Sequence, residues 1–162
     1  MLAIGFYEEL DGTCPVEDFL NKLSIEERAK MIQVVQLLEE FGPTLTFPFS
    51  SHIEGKLREL RTQYGKSKLR ILYYADVNRA FVLLHGTKKK TQKLPEENKK
   101  LALNHMAIDM EQLFFISARG EERKITSMNL CKCTSQALRI SKKFLRPSHT
   151  NKTYAFSEVL QN

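Results

Sequence analysis

The chain has 162 residues, 42% of them hydrophobic and 27% charged, with 25 basic against 19 acidic side chains and a net charge of +6. This length predicts one domain with its own core, and the composition excludes collagen-like and low-complexity chains. No apolar run is long enough for a transmembrane helix or a secretory signal, so we expect a cytoplasmic protein with no membrane partner.

The charge is unevenly distributed along the chain. Residues 1–55 carry three basic and ten acidic side chains, whereas residues 56–100 carry thirteen basic and four acidic ones. Residues 101–162 carry nine basic and five acidic ones. The middle third is therefore where we expect a polyanionic partner to bind.

The first part of the chain predicts a short strand and two helices. Leu2–Tyr7 is an apolar strand candidate. Pro15 suits the first position of a helix, and Ser24 and Glu27 have the spacing of a capping box that starts a second helix. That second helix is predicted to end at Gly42. The predicted apolar faces of the two helices are Val16, Phe19, Leu20 and Leu23, and Met31, Val34, Val35 and Leu38.

Beyond residue 48 the pattern changes from helical to extended. Three strand-like runs follow, at Lys56–Thr62, Lys68–Ala75 and Arg79–Gly86. Pro95 opens a third helix that runs to about Phe115. Its predicted apolar stripe consists of Leu103, Met106, Ala107 and Met110. We predict an α+β fold in which two N-terminal helices and a C-terminal helix pack on a small antiparallel sheet.

We assign residues 1–118 to this domain and residues 119–162 to a weakly structured extension. Residues 126–162 contain five serines, four threonines, no glycine and a single acid, Glu158, a composition that predicts no second core. The cysteines, Cys14, Cys131 and Cys133, lack the spacing of a zinc site and are interpreted as free thiols. No metal and no other cofactor is expected.

Strand alternation in the basic segment brings possible catalytic groups together. It puts Glu59 and Arg61 side by side on one strand and Arg70 on the next. On the third strand it puts His85 on the same face as Phe81 and Leu83. The lysine run Lys88–Lys90 follows directly. If the strands pair as hairpins, the arginines, His85 and a lysine converge on one concave surface.

Such a set is suited to metal-independent RNA cleavage. Attack of a 2′-hydroxyl on its own phosphate needs a base, a donor for the 5′-oxygen and cations for the developing charge. Arginine binds phosphate oxygens in a bidentate manner, and His85 transfers protons near neutral pH. Glu59 either acts as the base or orients Arg61.

Structural interpretations stay open for the same residues. Glu59 and Arg61 together are typical of a surface ion pair, and His85 of a hydrogen-bonded structural residue. The lysine run is typical of a solvated charged surface. The remaining histidines lack partners at a useful spacing and receive no role; they are His52, His105 and His149.

The order of motifs in residues 1–115 resembles a known family. The motifs are Asp11-Gly12, Pro15-Val16, Phe19-Leu20, Arg28-Ala29-Lys30, Leu57-Arg58-Glu59-Leu60-Arg61, Arg70-Ile71-Leu72-Tyr73-Tyr74, Leu83-Leu84-His85-Gly86 and Lys89-Lys90-Thr91. This ordered set resembles the RelE/ParE superfamily and is more closely similar to its HigB-like, phage-derived branch of type II toxins. The resemblance implies the same α+β fold.

The resemblance also implies a function: a toxin that acts as a ribosome-dependent mRNA endonuclease and inhibits translation. The implied partners are the ribosome, mRNA and a cognate antitoxin, commonly a helix-turn-helix protein. The implied catalytic residues are Glu59, Arg61, Arg70, His85 and Lys89. Neighbouring basic residues are predicted to bind RNA: Lys56, Arg58, Lys68, Lys88, Lys90 and Lys93. Family members often have an aromatic residue where this chain has Thr87, and they usually end near the position of Gly120.

Two other functions remain open. A ParE-like gyrase inhibitor acts through protein contact, and the superfamily fold alone does not separate it from a nuclease. A non-catalytic relic that only binds RNA or antitoxin is favoured by Thr87 and by the extension. The cluster from His85 to Lys90 favours the nuclease, because a protein-contact inhibitor does not need convergent phosphate-binding groups.

Overall fold

The computed structural model describes residues 3–76, 81–89 and 94–118, which form five strands and three α-helices. The elements in chain order are β1 (Ile4–Phe6), α1 (Pro15–Asn21), α2 (Ile25–Phe41), β2 (Ser50–Glu54), β3 (Leu57–Tyr64), β4 (Ser67–Ala75), β5 (Phe81–Lys89) and α3 (Glu96–Ala118). The strands form one sheet in the order β1-β5-β4-β3-β2, with α1 and α2 on one face and α3 on the other.

The two helices α1 and α2 form as their sequence predicts. Pro15 is at the start of α1, and the capping box of α2 is complete. The Ser24 amide donates to Glu27 Oε2 at 3.2 Å, and the Glu27 amide donates to Ser24 Oγ at 3.3 Å. Both predicted apolar faces are buried in the core between these helices and the sheet. Because Gly42 has a positive φ of 56°, it ends α2 where the prediction put the end.

The strand predicted within Leu2–Tyr7 is confirmed as β1, so the chain begins with a strand and not with the two helices that the predicted arrangement put first. The antiparallel sheet of that arrangement is wrong, because β1 pairs in parallel with β5 and the sheet is mixed. A parallel pairing is possible here because α1, α2 and three strands lie between β1 and β5 in the chain and provide the long crossover. The prediction also omitted β2, an edge strand with a single large apolar residue, Ile53, and hence no alternating pattern.

The stripe predicted for α3 is confirmed for three of its four residues: Leu103, Met106 and Met110 are half-buried against the core, whereas Ala107 is exposed. The most buried positions include Ala102, His105 and Asp109, which the prediction missed. It missed them because two of the three are polar, and a hydrophobic pattern gives no weight to polar residues whose hydrogen bonds are made inside the protein.

Several predictions concern residues outside the described ranges: the extension at 119–162, and the RNA-binding assignments of Lys90 and Lys93. Within the described ranges, none of the helices has the length and hydropathy that a bilayer-crossing segment requires.

Candidate functional site

A register shift in β5 determines which side chains meet on the α3 face of the sheet. His85 is opposite Leu72 on β4, whereas the next β4 residue, Tyr73, is opposite Leu83, so β5 has one extra residue. Such a bulge interrupts the alternation of faces. Leu83 packs toward α1 and α2, whereas His85 contacts α3. The prediction that His85 shares the face of Phe81 and Leu83 is therefore wrong.

The shift aligns three cross-strand rows on the α3 face. The rows, read from β3 through β4 to β5, are Glu59–Leu72–His85, Arg61–Arg70–Thr87 and Gln63–Lys68–Lys89. We call Arg61, Lys68, Arg70 and Lys89 the cationic cluster. The structure thus brings together all five residues predicted as catalytic, together with Lys68.

The cationic cluster contains two pairs of like charges directly opposite each other. Arg61 is opposite Arg70, and Lys68 is opposite Lys89. Pairs of like charge in this position destabilise a sheet. Within the described ranges, neither lysine has an ion pair or a side-chain hydrogen bond. The lysine end of the cluster therefore has positive charge that a bound anion would neutralise.

Glu59 is buried and fully engaged beside the cluster. Its Oε2 accepts a hydrogen bond from Arg70 Nη1 at 2.7 Å, and its Oε1 accepts one from Ser51 Oγ at 2.9 Å. Arg61 Nε is 3.6 Å from Oε1. Both oxygens of Glu59 therefore have partners within the chain.

Arg61 is the more open of the two arginines. Its side chain is 31% exposed, against 7% for Arg70. It borders a cleft of about 290 Å³ that is also lined by Phe47, Phe49 and Lys68. The guanidinium carbon of Arg61 is 5.6 Å from the centroid of the Phe47 ring, which is within the range of a cation–π contact.

His85 is at the boundary between the cluster and α3. Its Nε2 is 3.2 Å from Asn98 Oδ1 on α3, and its Nδ1 is buried without a partner among the described residues. Asn98 also donates to Thr87 Oγ1 at 3.2 Å. Burial lowers the pKa of His85 below 6.5, against the opposing effect of the Asn98 hydrogen bond, and the nearby His105 lowers it further. His85 is therefore mainly neutral at pH 7.

A second polar group lies under α3 and was not predicted. We call Tyr7, Tyr74, His105 and Asp109 the covered network. His105 Nδ1 is 3.1 Å from Leu84 O, and its ring stacks on Tyr7 with centroids 4.6 Å apart. Tyr74 donates to Asp109 Oδ2 at 2.5 Å. Burial raises the pKa of Tyr7, and Glu9 and Asp109 raise it further.

Sequence reasoning missed three residues that shape this region: Phe47, Asn98 and His105. A signal existed for Phe47, because two phenylalanines flank Pro48 in a connection where apolar residues have no obvious core to join. No local signal existed for Asn98 or His105, because their partners are distant in the chain, on β5 and β1.

Three predicted RNA-binding residues are not brought to the cluster. Lys88 faces α2, where its Nζ is 2.7 Å from Glu27 Oε2. Arg58 donates to Leu45 O at 3.3 Å, also on the α2 side. Lys56 is in the β2–β3 turn, five residues before Arg61 and so about 17 Å away at roughly 3.4 Å per strand residue.

In the described part of the chain, no three His, Cys, Asp or Glu side chains are grouped as ligands for a metal ion. The arrangement at the cluster instead offers guanidinium and ammonium groups, which are ligands for anions.

The fold and the cluster define a small protein with three helices and an anion-attracting sheet face. Residues 18–107, more than half of the chain, match the family described as Phage derived protein Gp49-like (DUF891). The chain belongs to this family, which is of the RelE/HigB toxin type. The match runs from α1 into α3 and includes every strand of the cationic cluster. None of the curated proteins matches the chain.

Proposed function

We propose that residues 1–118 form the toxin of a type II toxin–antitoxin system, in the HigB-like branch, and cleave ribosome-bound mRNA. The observation that carries this proposal is the pair of directly opposed lysines, the half-buried Lys68 and the exposed Lys89, beside Arg61 on one sheet face. Two like charges that are held together, with no acidic partner among the described residues, are stabilised by a bound anion. In a toxin of this family the phosphates of mRNA are the natural anion.

The open cations bind the phosphate backbone. Arg61 makes bidentate contacts to non-bridging oxygens, and Lys68 and Lys89 neutralise charge that develops during attack of the 2′-hydroxyl. Lys89, exposed at the end of β5, is the candidate proton donor to the leaving 5′-oxygen.

The buried members of the site act as positioning residues. Glu59 and Arg70 form a buried ion pair of 2.7 Å directly beside Arg61. This pair fixes the surface that Arg61 contacts. His85 holds Asn98 and, through it, Thr87. Because Nε2 of His85 is bonded and Nδ1 is buried, direct contact between His85 and RNA requires the Asn98 contact to open.

The cognate antitoxin and the ribosome are the proposed partners. An antitoxin that covers the cationic cluster blocks mRNA entry and neutralises the like-charge pairs, so inhibition and binding share one surface. The basic segment from residue 56 to residue 100 also attracts ribosomal RNA over a longer range.

Inducible expression in bacteria, followed by mapping of mRNA 5′ ends, tests the proposal. We expect codon-phased cuts and growth arrest with the wild-type chain. Arg61→Ala and Lys89→Ala should each reduce cutting by about 10²–10³-fold, the usual effect of removing one transition-state donor. Lys30→Ala is the matched control, since this exposed lysine is on α2 at the opposite face of the sheet.

The alternatives give different outcomes in the same experiment. DNA-damage induction with intact mRNA overturns the nuclease and supports a ParE-like gyrase inhibitor. The closed environment of His85 favours the relic, in which the cluster binds RNA or antitoxin without cleavage. Soluble protein that causes no growth defect, yet binds RNA through Lys89, supports that second candidate.

A further inference from the structure

An exposed aromatic side chain lies against the cationic cluster with no core to join. Phe47 is 73% exposed in the connection between α2 and β2, and Phe49 is partly exposed two residues later. Both line the cleft of about 290 Å³, together with Arg61, Gln63, Lys68 and Arg70. The two aromatic rings together form an exposed apolar surface rimmed by cations, which is the pattern of a ligand-binding groove.

The connection is held in place by its main chain. The amides of Phe49 and Ser50 both donate to Thr46 O, at 3.1 and 3.0 Å, and Phe49 O accepts a hydrogen bond of 2.7 Å from the Arg61 amide. The main chain that carries Phe47 is thus hydrogen-bonded, through Phe49, to the strand that carries Arg61. The Phe47 ring itself contacts the Arg61 guanidinium, 5.6 Å from its centroid.

We propose that Phe47 is the stacking platform for one unpaired RNA base, whose flanking phosphates contact Arg61 and Lys68. Proteins read single-stranded RNA by stacking bases on aromatic rings and arginine planes while cations follow the backbone. The cleft combines these elements, and its volume is just below the roughly 300–1,000 Å³ of small-molecule sites, a size for one nucleotide. Gln63, at the rim, donates from its Nε2 to Gly65 O at 2.8 Å, so it offers its Oε1 acceptor to the edge of the base.

This inference rests on the proposed function, because it names the part of the RNA that the same cleft holds. It adds a specificity element that the cluster lacks, since phosphate contacts alone carry no sequence information. The position of the cut relative to the stacked base would then be set by the distance from Phe47 to Lys89.

Tryptophan fluorescence tests the inference directly, because the chain has no tryptophan. In the full chain, Phe47→Trp introduces one reporter at the platform, and Phe114→Trp introduces one at a control site on α3 that is 71% exposed. A ribotrinucleotide should quench the first reporter saturably and leave the second unchanged. A trinucleotide whose central position is abasic should quench the first reporter at least about 10-fold less.

Affinity measurements on variants without tryptophan give a second, independent readout. Phe47→Ala should weaken binding of a labelled single-stranded RNA by about 10-fold and leave binding of its abasic counterpart unchanged. Phe114→Ala should change neither. Equal quenching by base-bearing and abasic oligonucleotides, or no effect of Phe47→Ala on RNA that the wild type binds, overturns the platform.

The experiments distinguish failure of the stacking-platform proposal from failure of the nuclease proposal. Codon-phased cuts in cells, together with fluorescence of the Phe47→Trp variant that RNA does not quench, reject the platform alone. Base-dependent quenching by a chain that cuts no mRNA rejects the nuclease alone and retains the platform. If the chain shows neither base-dependent quenching nor mRNA cutting, the platform and the nuclease are both rejected.

Discussion

The α3 face of the sheet has two polar regions that differ in how their charges and hydrogen bonds are satisfied. In the cationic cluster, Lys68 and Lys89 are directly opposed and have no ion pair among the described residues. In the covered network, Tyr74 bonds to Asp109, and His105 bonds to a main-chain carbonyl and stacks on Tyr7. α3 covers the second region and leaves the first open.

The difference separates binding groups from structural ones on a single surface. Residue types that often act in catalysis, histidine and tyrosine, are here buried with partners, as buried polar groups generally are. Lys68 is half-buried and Lys89 is exposed, and their mutual repulsion lowers stability unless a ligand compensates. The proposed binding groups are therefore those whose interactions within the chain are incomplete.

The largest expected effect comes from Glu59, the buried carboxylate that pairs with Arg70 in the cationic cluster. Glu59→Gln leaves the buried Arg70 beside a neutral amide, and breaking a buried ion pair in this way typically costs about 3–5 kcal/mol. We expect a loss of this size in the free energy of unfolding, measured by urea denaturation. Glu54→Gln is the matched control, because Glu54 pairs with Lys99 while 55% exposed, where a pair contributes only about 0–1 kcal/mol.

Equal stability of the two glutamine variants would contradict this account of Glu59. Arg70 would then be stabilised without Glu59, and the buried surface that contacts Arg61 would not depend on that carboxylate. Cleavage by Glu59→Gln at normal rates, in a chain that still folds, would also remove its positioning role.

A smaller effect is expected at the glycine after His85. A Cβ at Gly86 would be 2.0 Å from Phe19 Cδ1 and 2.7 Å from Phe19 Cβ, so α1 itself must move. Gly86→Ala should lower the free energy of unfolding by about 1–3 kcal/mol, the usual cost of overpacking. Because the bulge directs His85 toward α3 and Gly86 toward α1, this variant strains the segment that separates the two regions.

The double variant with Phe19→Ala tests the contact itself. Adding Gly86→Ala to Phe19→Ala should cost less than adding it to the wild type, because alanine lacks the two nearest atoms of Phe19, Cδ1 and Cγ. Additive costs would show that the strain arises elsewhere.

Much of the fold was predictable because it is encoded over short distances. The capping box of Ser24 and Glu27, the apolar faces of α1 and α2, and the three strands around the site follow from local spacing. The parallel pairing of β1 with β5 does not, because strand partners far apart in the chain leave no local pattern. The β2 edge strand is too polar to show one.

The candidate site likewise includes residues that local sequence patterns predict and residues that they do not. Alternation put Glu59 beside Arg61, and the hairpin added Arg70, which the structure confirms as neighbours. The face of His85 was predicted wrongly because a bulge adds one residue that alternation cannot anticipate. Phe47 was missed because its contact with Arg61 depends on how the connection before β2 folds back on β3.

The third prediction concerns the opposed lysines. Lys89→Gln removes the repulsion with Lys68 and should raise the free energy of unfolding by about 0.2–1 kcal/mol, while RNA cleavage falls. Lys30→Gln, at an exposed site on α2, should change stability by less than about 0.5 kcal/mol and leave cleavage intact. If Lys89→Gln lowers the free energy of unfolding, the positive charges of the cluster are already balanced by groups within the chain. The cluster would then not be an anion-binding site.

The smallest effect is a pH dependence located at the boundary of the two regions. Burial holds the pKa of His85 below 6.5 in the folded chain, whereas the unfolded chain has the ordinary value. Between these two values the unfolded chain binds more protons, so the free energy of unfolding should rise with pH through the window just below 6.5. Acidification from pH 7.5 to 5.5 should therefore destabilise the wild type, as measured by urea denaturation at each pH.

His85→Gln should reduce this dependence, because glutamine retains a donor for Asn98 and does not titrate. His52→Asn, which replaces an exposed histidine of β2, should keep the wild-type dependence. If His85→Gln and the wild type lose equal stability on acidification, His85 is solvated and its nitrogens are open. His85 would then belong with the cationic cluster, and a direct role in proton transfer to or from RNA would replace its positioning role.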